Sequence, residues 1–184
     1  MDPSHCCPWW LAYTFDNPLR RLVHDPQKVV GPYVRPGMTV LDFGCGMGYF
    51  SIAMAKMVGP EGRVLAVDLQ PQMLAITMKR AKKAGVDGRV VPVPAEKTRF
   101  ALPEPVDFAL AMWVVHEVPG TERFLREVHA ALKPGARLLI AEPKRHVKPA
   151  QLAEIIRAAH EAGFEVEARP AVRMSMAVVL RSNG

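Results

Sequence analysis

Three glycines at alternate positions, Gly44, Gly46 and Gly48, follow an apolar run from Thr39 to Phe43 and precede a helical pattern that starts at Tyr49. Glycine at a strand-to-helix turn lets the main chain take positive φ, and lets a ligand approach where a Cβ would collide. Asp42, at the end of the run, would set a carboxylate beside that ligand. A pyrophosphate-binding turn needs Gly-x-Gly-x-x-Gly. Here Tyr49 takes the third glycine's place, and a carboxylate stands where a diphosphate would be repelled. The spacing suits a cationic or zwitterionic ligand better than a phosphate.

Other residues able to do chemistry lie further off. His116 falls in Val114–Pro119, just after the apolar run Val106–Met112, and imidazole titrates near neutrality, so it can serve as a general base or as a structural donor. Lys144, Arg145 and His146 follow Glu142 and Pro143, and could attract an anion or simply be solvated. Cys6 and Cys7 precede Trp9 and Trp10 in an aromatic-rich N-terminal stretch that could fold as a lid. Their thiols, with Cys45, could also bind a soft metal or metalloid; the plainer reading is unreactive thiols near a helix cap.

The elements that must position these groups alternate. Apolar strands are predicted at 39–43, 63–67, 89–93, 106–112 and 136–141. Helices are predicted at 49–58, 71–84, 121–132 and 149–162, and two last strands at 164–168 and 175–181. Asn17-Pro18 and Asp25-Pro26 each pair an N-cap type with proline at the first helical position, predicting two short helices in the first 38 residues. Near-continuous apolar strands imply a parallel sheet covered by helices on both faces. The last two strands are joined too tightly for a parallel crossover and should form an antiparallel hairpin.

At 184 residues and 49% hydrophobic content, the chain can bury a core without disulfides. No apolar run approaches the roughly 20 residues of a membrane span. The N-terminus lacks the layout of a secretion signal. Three cysteines do not make a disulfide framework, so a cytoplasmic location with reduced thiols is expected. The net charge of +6 invites a nucleic-acid partner, but the cations are spread, apart from clusters at Lys79–Lys83 and Lys144–Lys148.

Across residues 36–181 the chain resembles the class I S-adenosylmethionine-dependent methyltransferases, whose first motif reads acidic-x-Gly-x-Gly-x-Gly. The matching stretches, in order, are Asp42–Gly48, Val64–Leu69 with Met73 and Leu74, Ala95–Glu96, Val106–Met112, and Leu132–Gly135 before Leu138–Glu142. Within that class it is most similar to the small ubiquinone/menaquinone-biosynthesis-like (methyltransferase type 11) enzymes. The resemblance implies an α/β, Rossmann-like doubly wound sheet of seven strands, order 3-2-1-4-5-7-6, with strand 7 antiparallel. It further implies a single domain over 1–184, with 1–38 as a helical cap or lid and 39–184 as the core.

The implied cofactor is S-adenosyl-L-methionine, leaving as S-adenosyl-L-homocysteine. It would be held by Asp42, Gly44, Cys45, Gly46, Gly48, Asp68, Leu69, Met73, Ala95, Glu96 and Met112. Asp68 would accept both ribose hydroxyls, or else only cap the helix at 71. Ala95 and Glu96 stand where the family holds the adenine, though the family more often has Asp before a small residue there. Leu69 and Met73 would pack on the adenine or serve as core. Trp113 and His116 fall on the methyl-acceptor face and are the candidate catalytic residues. The implied reaction is SN2 transfer of the sulfonium methyl to a small-molecule acceptor. Rivals are an RNA or protein methyltransferase, a metalloid or thiol methyltransferase using Cys6 and Cys7, and a binding scaffold acting through a partner. No resident metal and no membrane span are expected, and the chain would be a monomer or homodimer.

Overall fold

The computed structural model describes residues 23–96 and 101–183. The helix expected at Asn17-Pro18, and Cys6, Cys7, Trp9 and Trp10 with it, lie outside the described residues. Seven strands form one sheet: β1 (Thr39–Phe43), β2 (Arg63–Asp68), β3 (Val90–Pro94), β4 (Val106–Met112), β5 (Leu132–Pro143), β6 (Phe164–Ala168) and β7 (Ser175–Ser182). Their spatial order is β3-β2-β1-β4-β5-β7-β6. The pairs from β3 to β5 are parallel, and β7 lies antiparallel between β5 and β6. The expected topology is the observed one.

Among the described residues the helices are α1 (Pro26–Val29), α2 (Tyr49–Met57), α3 (Pro71–Lys83), α4 (Thr121–Ala131) and α5 (Pro149–Glu161). Proline opens α1, α3 and α5, where its missing N–H costs nothing and its φ is already helical. At α1 the Asp25 side chain accepts from the Gln27 N–H at 3.0 Å, the cap that Asp25-Pro26 foretold.

Alternate residues of each central strand point to opposite helical layers. Leu41, Leu65, Ala109, Leu138 and Ile140 pack with Phe124, Leu125, Val128 and Ile155 of α4 and α5. Val40, Val64, Phe108, Leu110 and Leu139 pack with Phe50, Met54 and Leu74 of α2 and α3, and with Val29 of α1. Burial on both faces, at about 1.5–3 kcal/mol per large apolar side chain, holds the strands level so that their carboxyl ends share one edge.

One element differs from expectation. Lys133, Pro134 and Gly135 were expected to turn the chain before a strand at 136–141, but β5 already starts at Leu132. Leu132 pairs with Val106, and the register shifts before Phe108 meets Arg137. The extra residues are taken up as an irregularity in the strand, so the chain passes from α4 into the sheet without a separate loop.

Candidate functional site

β1 has β2 on one side and β4 on the other, so the chain reverses its direction of build across the sheet there, and the crevice opens at the carboxyl end of β1. The glycine loop fills that place. The Gly44 and Cys45 N–H groups donate to the Val67 carbonyl at 2.9 and 3.0 Å, tying the loop to β2. All three glycines have positive φ. A Cβ on Gly48 would lie 2.7 Å from Thr77 Cγ2, whereas one on Gly46 would meet nothing within 4 Å among the described residues. Gly48 is therefore closed in by α3, and Gly46 presents main chain that no described residue covers.

Helix α3 braces the loop from behind. The Thr77 hydroxyl donates to the Gly46 carbonyl at 2.9 Å, and Arg80 Nη1 donates to the Met47 carbonyl at 3.2 Å. Asp68, at the end of β2, accepts from the Gly46 N–H through Oδ2 and from the Gln70 N–H through Oδ1, both at 2.9 Å. A carboxylate has about four lone-pair sites, so with backbone donors from Gly46, Leu69 and Gln70 it keeps capacity for a further donor. Burial pushes the Asp68 carboxyl above the usual aspartate range, against the pull of the backbone donors. A cation in the crevice would relieve that cost.

The other expected cofactor residues divide. Asp42 is buried, 2% exposed, and its Oδ2 accepts the Ser51 hydroxyl of α2 at 2.5 Å. Cys45, Met73, Ala95 and Met112 are buried, and Leu69 is half-buried. Burial first, then the charges of Asp42 and Asp68, push the Cys45 thiol well up, which disfavours the thiolate that a soft metal would need. The Ala95 N–H donates to the Asp68 carbonyl at 3.0 Å, so that residue stands beside the crevice. Glu96 is exposed and lines a cavity of about 760 Å³ with residues 101–105 and α4, to which the glycine loop contributes nothing.

The candidate residues Trp113 and His116 lie just beyond the end of β4. Trp113 has φ 60°, unusual for a large side chain, and is held there from several directions. Its backbone N–H donates to the Ala141 carbonyl at 2.8 Å, and its indole Nε1 donates to Ser175 Oγ at 2.8 Å. The His24 ring stands edge-on to it with centroids 4.9 Å apart. His24 in turn bonds the Arg173 carbonyl through Nε2, and its own carbonyl accepts the Tyr49 hydroxyl, each at 2.9 Å. Trp113 thus links the N-terminal segment, β7 and the residue that follows the glycine loop.

His116 lies in a helical turn at Val115–Glu117, with its ring 21% exposed. Its Nδ1 bonds Oε2 of Glu142, a fully buried carboxylate at the end of β5. The other oxygen of Glu142 accepts the Val115 N–H at 2.9 Å. On the far side of the ring, Nε2 is 4.0 Å from Glu117 Oε1. Burial pulls the imidazole pKa down, but the bond and charge of Glu142, aided by Glu117, carry it above its ordinary value. Burial raises the Glu117 carboxyl, opposed by His116 and reinforced by Glu142 and Asp68. The last influence couples this turn electrostatically to Asp68 at the end of β2. His116 also closes one end of a groove of about 540 Å³ between α4 and α5.

Sequence reasoning did not single out Ser51, Thr77, Ser175 or His24, nor pair Glu142 with His116. Thr77 and Ser51 are small polar residues on helices flanking the loop, a weak local signal. The other contacts carried none, because each joins distant parts of the chain. Among the described residues no group of three or more His, Cys, Asp or Glu is placed to hold a metal ion.

A family model described as a methyltransferase domain matches residues 40–135. Among curated proteins, the chain is 34% identical over 110 residues to the ubiquinone/menaquinone biosynthesis C-methyltransferase UbiE of Enterobacter sp. (strain 638), covering 59% of this chain and 44% of that protein. It is 33% identical over 110 residues to the protein of the same name from Pasteurella multocida, covering 59% and 41%. The matches thus span less than half the length of these relatives. Among solved structures, a SAM-dependent methyltransferase from Aquifex aeolicus superposes with a TM-score of 0.84 at 28% identity, covering 96% of this chain and 99% of that one.

Proposed function

The chain belongs to the methyltransferase domain family, and from that we propose that it is an S-adenosylmethionine-dependent methyltransferase acting on a small-molecule acceptor. The observation that carries this reading is the glycine loop. No described residue covers the main chain at Gly46, and the Asp68 carboxylate bonded to its N–H is pushed up by burial. That arrangement fits a cationic nucleoside. Both the Aquifex aeolicus structure and the UbiE proteins are named as methyltransferases, which supports the same reading.

In this assignment Gly44, Gly46 and Gly48 give the cofactor its close approach, and Asp68 accepts its ribose hydroxyls. Asp42 adds negative charge beside Cys45. Cys45, Met73, Ala95 and Met112 form its walls, with Leu69 at the margin. Glu96 keeps a place only if its side chain leaves the outer cavity it lines. The bound cofactor supplies an electrophilic methyl group. The chain supplies the rest. Trp113, fixed by Ser175 and His24, walls the acceptor side. His116, oriented through Nδ1 by Glu142, offers Nε2 to take a proton from the acceptor.

No helix among the described residues is long and apolar enough to cross a membrane. We place the enzyme in the cytoplasm, where the three thiols of the sequence would stay reduced.

Asp68→Ala tests the assignment. Charge-assisted hydrogen bonds contribute about 1.5–3 kcal/mol each, so calorimetry with S-adenosylhomocysteine should show an affinity loss of about tenfold or more. Unchanged affinity would remove Asp68 from the site, and no binding to the wild-type chain would overturn the function.

A further inference from the structure

A second cleft, of about 720 Å³, opens between the first half of α5 and the segment that joins β6 to β7. Leu152, Ile156 and Val172 give it an apolar floor, and Leu152 and Val172 are each 6% exposed. Three cations, Lys144, Arg169 and Arg173, stand on its rim with exposed side chains, and no acidic residue among the described residues lines it. Among the described residues, neither Lys144 nor Arg169 has an ion-pair partner. This one-sided charge is not a general feature of the surface. The groove between α4 and α5 has three arginines and three glutamates along its walls.

The lip of the cleft is held in a costly shape. Met174 has φ 59° and is 47% exposed, although neither is favourable for a methionine. The Lys144 N–H donates to the Met174 carbonyl at 3.0 Å and the Ser175 N–H donates to the Val172 carbonyl at 3.1 Å, which fixes the turn against the end of β5. Ser175 lines the cleft and bonds the Trp113 indole, so one side chain links this cleft to the wall of the acceptor site.

We propose that the methyl acceptor is a small organic anion with an apolar body, seated in this cleft with its charge against Lys144 and Arg169. The inference rests on the methyltransferase reading and names the substrate class. Apolar area on the floor supplies non-directional affinity, while the rim selects charge and fixes which end of the acceptor points toward Trp113.

The test uses the full chain saturated with S-adenosylhomocysteine and two probes of equal shape, 2-naphthoate and uncharged 2-naphthalenemethanol, titrated by calorimetry. Naphthoate should bind at least tenfold more tightly than the alcohol without displacing the nucleoside. The double variant Lys144→Glu/Arg169→Glu should lose at least tenfold of naphthoate affinity and keep its affinity for S-adenosylhomocysteine. Lys56→Glu, an exposed charge reversal on α2, should leave naphthoate binding unchanged. The proposal is overturned if naphthoate fails to bind at millimolar concentration, binds no better than the alcohol, competes with the nucleoside, or responds to Lys56→Glu as strongly as to the double variant. A wild-type chain that does not bind S-adenosylhomocysteine would instead refute the underlying function, and naphthoate binding in the same sample would still decide the cleft.

Discussion

In the proposed mechanism the imidazole can take the acceptor's proton only after losing its own, so Glu142 would set the pH at which His116 works. The ring sits above the ~6.5 of free imidazole because the bond and charge of Glu142 outweigh burial. Methyl transfer dependent on His116 should therefore rise with pH through a value above that reference. Glu142→Gln keeps an acceptor for the Val115 N–H but removes the charge and leaves the burial, so the His116 midpoint should move down. NMR titration of the His116 ring proton checks this, and an unmoved midpoint would sever the pair. Linkage gives the matching stability effect. A folded-state pKa raised above the unfolded value contributes stability that is full below the unfolded pKa and is lost as pH rises through the folded one. Wild-type stability should decline across that window relative to Glu142→Gln. His116 was legible in sequence from its type and from its place after β4. Its partner was not, because only the β4–β5 pairing carries Glu142 to it.

The glycine loop separates two functions that look alike in sequence. Gly48 is backed by Thr77, so Gly48→Ala adds a clash to the roughly 1–2 kcal/mol cost of a left-handed non-glycine residue and should destabilise the fold by about 2–3 kcal/mol. Gly46→Ala has the same backbone cost without the clash, and its methyl would project into open space. It should lower the melting temperature less and S-adenosylhomocysteine affinity more. Paired thermal melts and calorimetry check the contrast, and equal effects on both quantities would contradict it. The loop, its flanking strand and helix, and the proline-led helix starts were all readable, since each depends on a few adjacent residues. The early start of β5 was not. Lys133, Pro134 and Gly135 have turn chemistry, and only pairing of Leu132 with Val106 draws them into the sheet.

Across the whole molecule, β7 completes a sheet that the parallel strands leave open. It covers β5 from Arg137 to Pro143 and brings Val178 and Leu180 onto the core shared with Ile155 and Ala158. A chain stopped after Glu161 would bare that edge and half the apolar face of α5. It should lose the cooperative thermal transition seen by circular dichroism, and a melt within a few degrees of the full chain would show that the hairpin is dispensable. The strand order was readable because alternating strands and helices admit few right-handed windings, and the short final link allows only a hairpin. Periodicity and turn chemistry act over a handful of residues, so they placed the elements and the glycine loop. Contacts such as Trp113 with Ser175, Glu142 with His116 and Asp42 with Ser51 depend on which strands neighbour one another and in what register, and on how helices settle over them. Those are properties of the assembled sheet, and they paired Asp42 with Ser51, left Glu96 lining an outer cavity, and brought Arg169 and Arg173 to Lys144 on the rim of one cleft.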